Sequence, residues 1–305
     1  MNNLRVASSP HISHDDNIPK IMYKVVLALV PAALAGIIFF GIRAALIYTV
    51  SILTSVITEY LFMKIRKKPI AINDGSAAVT GLLLALTLPP YLPLWMAAVG
   101  AAVAIGLGKM VYGGLGSNVF NPALVGRAFL LITFPVAMTT WSAADAVSSA
   151  TPLNLLKMQG ETTEYLKLLL GNVGGSLGET SAVAILLGGA YLLYSMLIDW
   201  RIPAAFLGTT VSFVLLSGGD PIVHLLSGGL LLGAFFMATD MVTTPLTRKG
   251  KWIFGIGCGL ITAIIRLYGG YPEGVMFSIL LMNAVTPVIN RYTRPKMYGR
   301  VKLNG

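Results

Sequence analysis

Residues 21–41 read IMYKVVLALVPAALAGIIFFG, and their one charge is Lys24. A helix over this stretch is about 30 Å long at 1.5 Å per residue, the thickness of a bilayer's hydrocarbon core. Nine further apolar segments follow, at about residues 44–63, 71–89, 91–108, 121–138, 181–199, 203–217, 222–239, 252–269 and 273–290. The composition agrees: of 305 residues, 55% are hydrophobic and 11% charged, with a mean hydropathy of +0.77. A soluble domain is about 25% charged. The chain is therefore neither an ordinary soluble enzyme nor a disordered protein. Its net charge of +10 does not make it a nucleic-acid binder. The expected fold is an all-α polytopic membrane protein with about ten transmembrane helices.

The long polar interval, 139–180, splits the segments into five plus five. The expected organisation is a cytoplasmic N-terminal segment (1–20), a first five-helix repeat (21–138), an extracytoplasmic loop (139–180), a second five-helix repeat (181–290) and a basic cytoplasmic tail (291–305). The start, MNNLRVASSPHISHDD, lacks an apolar core and is not read as a signal peptide. With the N-terminus inside, 17 of the 22 Lys and Arg fall inside; Arg43, Lys157 and Lys167 fall outside, and Arg127 and Arg266 within segments. This is the positive-inside pattern, and it puts both termini on the cytoplasmic side. A five-helix half repeated in tandem inserts upside down, which predicts an inverted repeat with broken helices. Two echoes support it. Asn118-Val-Phe-Asn-Pro122 and Asn283-Ala-Val-Thr-Pro287 are both N-x-x-x-P, and Gly81-Leu-Leu-Leu-Ala resembles Gly229-Leu-Leu-Leu-Gly.

Polar residues inside apolar segments mark candidate sites. Asn121 followed by Pro122 is a helix start, and the preceding Tyr112–Asn118 run is too rich in glycine to be helical. A helix beginning at membrane depth presents free N–H groups that attract anions or carbonyls. Thr286-Pro287 is expected to do the same in the second half. Asp74, Arg127, Asp220, Asp240 and Arg266 lie in or at the ends of segments, where charge is costly and usually paired or functional. Asp74 in Asn73-Asp-Gly-Ser76 and Asp240 in Met237-Ala-Thr-Asp240 combine oxygens that suit passage of a hard cation such as Na⁺. The other reading is a salt bridge or a cap, and for Asp220, in a Gly-Gly-Asp-Pro turn, a cap. His11, His14 and His224 have no metal-like spacing, and the single cysteine, Cys258, forms no cluster. A secondary transporter or channel without redox chemistry would carry all these features.

The loop discriminates. Asp145-Ala-Val-Ser-Ser-Ala-Thr151-Pro-Leu is, by composition, a turn of small and hydroxyl residues. It resembles the flavinylation motif D-x-x-S/T-G-A-T/S, in which a flavin transferase attaches FMN through its phosphate to the last hydroxyl. Thr151 takes that position, Asp145 and Ala150 match, and Ser149 stands where glycine is usual. Such a hydroxyl needs to be exposed, on a mobile segment outside the membrane. Ser9-Pro-His11, Asp74-Gly-Ser-Ala-Ala-Val-Thr-Gly81, Leu88-Pro-Pro90, Gly108 to Pro122 and Phe236-Met-Ala-Thr-Asp240 extend the resemblance from about residue 4 to 300. Together they resemble the family of RnfD and NqrB, membrane subunits of the Rnf complex and of the sodium-pumping NADH:quinone reductase. The short N-terminus favours the Rnf side of it.

The resemblance implies a membrane flavoprotein in an ion-translocating ferredoxin:NAD⁺ oxidoreductase. It would carry covalent FMN on Thr151, flanked by Ser149 and Ala150, and a non-covalent riboflavin. Electrons would cross the membrane between these flavins, coupled to Na⁺ or H⁺ movement. Asn118, Asn121 and Arg127 are the expected flavin contacts, and Asp240 and Asp74 the expected groups for cation passage. The implied partners within the Rnf complex are RnfG, the periplasmic flavin protein, RnfC on the NAD side, RnfA and RnfE in the membrane, and RnfB on the ferredoxin side. A flavin transferase is implied for maturation. The implied location is a bacterial or archaeal cytoplasmic (inner) membrane.

Overall fold

The computed structural model describes residues 17–69, 72–141, 151–159, 163–171, 173–271 and 273–295. Among them all regular structure is helical. The first helix, α1 (Ile18–Phe40), starts where the Asn17 side chain accepts the Lys20 N–H at 3.0 Å. Gly41, at φ 65°, ends it and turns the chain directly into α2 (Ile42–Ile65). The first half continues with α3 (Ser76–Leu86), α4 (Leu94–Ile105) and α5 (Pro122–Thr133), then the short α6 (Pro135–Thr139). Two short helices, α7 (Pro152–Gln159) and α8 (Tyr165–Leu170), occupy the polar interval. The second half holds α9 (Ala182–Tyr194), α10 (Arg201–Leu216), α11 (Pro221–Leu226), α12 (Leu230–Leu232), α13 (Arg248–Tyr268) and α14 (Val275–Thr293). Both α4 and α12 run on into a π-turn, Gly106–Met110 and Gly233–Met237.

Four helices, α1, α2, α13 and α14, are long and apolar enough to cross a membrane. Others are shorter, such as α3 with 11 residues, about 16 Å long. That is about half the bilayer core, so α3 does not cross it alone. The chain is a multi-pass membrane protein whose ten expected segments each contain helix.

The halves repeat their packing. Helix α2 lies on α4 and α4 on α5; α10 lies on α13 and α13 on α14. Small residues let the backbones approach. At Gly255 and Gly259 of α13, an added Cβ would lie 2.8 Å from the Ile202 carbonyl and 2.6 Å from the Phe206 carbonyl of α10. Outward faces stay apolar, with Ile38, Ile57, Ile132 and Val288 exposed. That is the pattern of a surface in contact with lipid or with other membrane helices.

The two halves differ in where they break. The first breaks as expected at 111–121, where Gly113, Gly114 and Gly116 take φ values of 129°, 112° and 89°. The second does not break at Thr286-Pro287. Pro287 lies inside the continuous α14, and the Thr286 hydroxyl donates to the Met282 carbonyl at 3.0 Å. The break sits instead at 227–229, between α11 and α12, where Gly228 and Gly229 have φ of 69° and 64°. A proline deletes one hydrogen bond and bends a helix; two consecutive left-handed glycines end it.

Candidate functional site

At the start of α5, the Asn121 side-chain oxygen accepts the N–H groups of Ala123 at 3.0 Å and Leu124 at 3.3 Å. Pro122 has no N–H to satisfy. The Asn121 amide nitrogen donates to the Met237 carbonyl at 3.2 Å, at the end of the second π-turn. With its amide oriented so that oxygen faces the donor and nitrogen the acceptor, Asn283 accepts the Asn121 N–H at 3.0 Å and donates to the Ile279 carbonyl at 3.3 Å. One asparagine from each N-x-x-x-P echo thus meets at the seam of the two halves.

This seam forms one wall of a cleft open to the surface. Its walls are apolar, with Val79, Leu83 and Phe236; its polar groups include Thr80, Asn118, Asn121 and Asp240. An apolar lining with a few polar groups is usual for small-molecule sites. Asp240 accepts the Val242 N–H at 3.3 Å and the Thr243 hydroxyl at 3.2 Å. The Asn118 side chain, in the same cleft, donates to the Phe120 carbonyl at 3.2 Å. Asp74 and Asp240 belong to no group of three His, Cys, Asp or Glu side chains among the described residues.

Behind the cleft is a chain of charges that composition concealed. Lys109 donates to Glu59 at 2.6 Å and to the Ser76 hydroxyl at 2.6 Å, which donates to Asp74 at 2.6 Å. Lys109 is 2% exposed and Glu59 fully buried. Lys109, expected among the cytoplasmic loop charges, is therefore a paired intramembrane charge. Glu59 continues a buried stripe on α2 with Tyr48, Ser51 and Ser55. That spacing of three and four within an apolar segment is a signal the sequence does carry.

The opposite ends of the helices hold a second charge group. Arg127 pairs with Glu273 and lies 4.0 Å from Glu179. Arg127 and Glu273 border a smaller opening of about 430 Å³ whose walls include Trp141, Tyr271 and Phe277. Arg127 is thus an ion-pair residue of a different cleft, and the structure does not bring it together with Asn118 and Asn121. Arg266 fills the second helix break. It donates to the carbonyls of His224, Ser227 at 3.0 Å and Gly228 at 3.0 Å. Asp220 is the expected cap, accepting the Ile222 N–H at 2.9 Å and the Tyr165 hydroxyl at 2.7 Å. Burial pushes its carboxyl up, but the Tyr165 hydroxyl and the two capped N–H groups outweigh it and hold it below the usual carboxylate range.

Thr151 heads α7. Its carbonyl accepts the N–H groups of Asn154 at 2.8 Å and Leu155 at 2.9 Å, and its hydroxyl accepts the Asn154 N–H at 3.3 Å. The residue is 5% exposed, against the expectation of an exposed hydroxyl. Its hydroxyl caps α7, and α7 is packed onto the bundle through contacts distant in the chain. Asp145, Ser149 and Ala150 lie outside the described residues.

A polytopic all-α membrane protein with a cleft at either end of its helices and charges held between its halves is the class these features define. The profile of the NQR2, RnfD, RnfE family matches residues 5–299, and the chain belongs to that family. It is 50% identical to the D subunit of the proton-translocating ferredoxin:NAD(+) oxidoreductase complex of Clostridium ljungdahlii, over 96% of both chains. It is 51% identical to the D subunit of the Na(+)-translocating ferredoxin:NAD(+) oxidoreductase complex of Acetobacterium woodii, over 99% of this chain and 97% of that one. It is 41% identical to the D subunit of the ion-translocating oxidoreductase complex of Stutzerimonas stutzeri, over 93% of both.

Proposed function

We propose that this protein is the D subunit of an Rnf-type ferredoxin:NAD⁺ oxidoreductase that moves Na⁺ or H⁺ across the membrane. The observation that carries this is likeness at about half identity over nearly the whole of both chains to two relatives so named. Their names differ in the ion, so likeness at this level reports the complex and not its coupling ion.

Within that role we assign two flavins. FMN is joined by a phosphoester to Thr151, beside Ser149 and Ala150, and riboflavin lies in the cleft at Asn118 and Asn121. The donor set fits: apolar walls suit the flat ring system, and amide and hydroxyl groups suit its polar edge and ribityl chain. Bound flavins supply the electron transfer. The protein's residues bind, orient and exclude water. The Asn121-capped start of α5 borders the cleft, so the positive end of its dipole, without free N–H groups, favours an electron-rich ring there. Arg127 offers charge at the other cleft, on the Thr151 side. Asp240 and, through Ser76, Asp74 border the riboflavin cleft and are the groups we assign to cation passage.

The positive-inside pattern supports a cytoplasmic location for both termini and the outer side for 139–180, in a bacterial or archaeal cytoplasmic membrane. The partners are then RnfA, RnfB, RnfC, RnfE and RnfG and a flavin transferase. Mass spectrometry of protein co-expressed with the transferase tests the reading. The Thr151 peptide is expected to carry FMN. An unmodified peptide beside an active transferase removes the assignment and favours a transporter or channel without redox chemistry.

A further inference from the structure

Helix α7 is fastened to the bundle at two points, and its Thr151 hydroxyl caps its own first turn. Leu153 is buried over Gly228, where a Cβ would collide with it. The Lys157 ammonium donates to the carbonyls of Arg266, at 3.0 Å, and Gly269, at the end of α13. That is where a helix presents its unpaired carbonyls and its negative dipole end. Loss of hydration there lowers the Lys157 pKa from its ordinary value.

Flavin transfer makes a demand this arrangement does not meet. The hydroxyl oxygen attacks the flavin-side phosphorus of a flavin dinucleotide. An O–P bond forms, the phosphoanhydride bond breaks, the adenosine monophosphate leaves, and the hydroxyl proton passes to a base on the transferase. In-line attack needs the oxygen turned toward an incoming phosphorus with a bulky group on each side. A capping hydroxyl on a residue only 5% exposed presents no such approach.

Resting on the assignment of FMN to Thr151, we propose that α7 is a latch. Thr151 is modified only while α7 is released from the bundle, and Lys157 and Leu153 set how often release occurs. The transferase then recognises the undocked segment and not the docked helix.

The test uses the full chain, purified in lipid nanodiscs from cells lacking the transferase. Transferase, flavin dinucleotide and Mg²⁺ are added, and the initial rate is read by flavin fluorescence in a denaturing gel. Lys157→Ala, a change at an exposed stem that should spare folding, is expected to raise the rate about tenfold, the effect of losing hydrogen bonds from a charged donor. In parallel, Thr151→Cys is labelled with a membrane-impermeant maleimide. Cys258 is fully buried and gives a low background. Labelling is expected to be slow beside Met158→Cys, which is at a 79% exposed position, and about tenfold faster when Lys157→Ala is added. Flavin transfer at equal rates with and without Lys157 overturns the latch and leaves the FMN assignment standing. Labelling that depends on Lys157, with no flavin on the unaltered chain, leaves the docking standing and removes the FMN assignment. Thr151→Cys labelling as fast as Met158→Cys overturns the latch outright.

Discussion

The two helix breaks are built alike and used differently. In the first, residues 111–121 unwind on three left-handed glycines, and Asn121 restarts the helix beside an open cleft. In the second, residues 227–229 unwind on two, and Arg266 reaches in to occupy the freed carbonyls. An unwound stretch at membrane depth has backbone groups that need partners. One break satisfies them with the Asn118 and Asn121 amides and, where it begins, with Arg66 and Lys68 on the Met110 and Gly113 carbonyls, and still keeps room for a ligand. The other satisfies them with a tethered cation and leaves none.

The largest expected break in that comparison is Arg266→Ala. It strips the carbonyls of their donor and removes a buried positive charge whose field reaches Glu179 and Glu273. Removing one member of a buried charge group costs about 3–5 kcal/mol. Thermal unfolding in detergent should show a large drop, and Arg266→Lys should recover only part, because one ammonium does not reproduce the guanidinium fork. Unchanged stability would show that the second break does not depend on its cation.

Lys109→Ala behind the first break should come close, at about 3 kcal/mol, because Glu59 is left charged and unpaired. The double variant Glu59→Gln with Lys109→Met should be milder than the sum of its singles. Additive losses in a double-mutant cycle would refute the coupling between the two.

Asn121→Ala should cost about 1–2 kcal/mol through loss of the cap. Its sharper effect falls on the cleft, whose wall Asn121 ties to Met237 and Asn283: riboflavin recovered with the protein should decrease. Full retention would separate the seam from the cofactor.

The smallest effect lies outside both breaks. Between α9 and α10, Asp199 accepts from Arg201 at 2.9 Å and Lys251 at 3.0 Å. Partial burial raises its pKa, but the Arg201 N–H and the two cationic side chains outweigh it and hold it below the ordinary value. Its stabilisation is therefore present above about pH 4 and fades as pH falls through the lowered folded value. Asp199→Asn should cost at most about 1 kcal/mol at pH 7 and nothing at strongly acid pH. An equal loss at both would exclude the ion pair as its cause.

Legibility differs between these regions for physical reasons. The first break can be read because glycines, an asparagine cap and a proline stand within a dozen residues. Thr286-Pro287 looks equivalent and is not, since a proline whose neighbours keep a helix continuous only bends it. The second break hides in Ser227-Gly-Gly229, where nothing in the sequence points to Arg266, 38 residues on from Gly228. Lys109 reads as a loop charge because its buried partner, Glu59, is 50 residues away. Thr151 can be read as a motif, but its burial cannot, because that follows from Leu153 and Lys157 meeting residues more than 70 positions distant.

By itself the sequence determined the solvent this protein lives in, its helical class and its family. All of these rest on composition, spacing and contiguous residues. Only the tertiary structure decided which charges are paired, which break stays open and whether the Thr151 hydroxyl is free. Those outcomes depend on groups far apart in the chain arriving within about 3 Å of one another, where desolvation makes each pairing count.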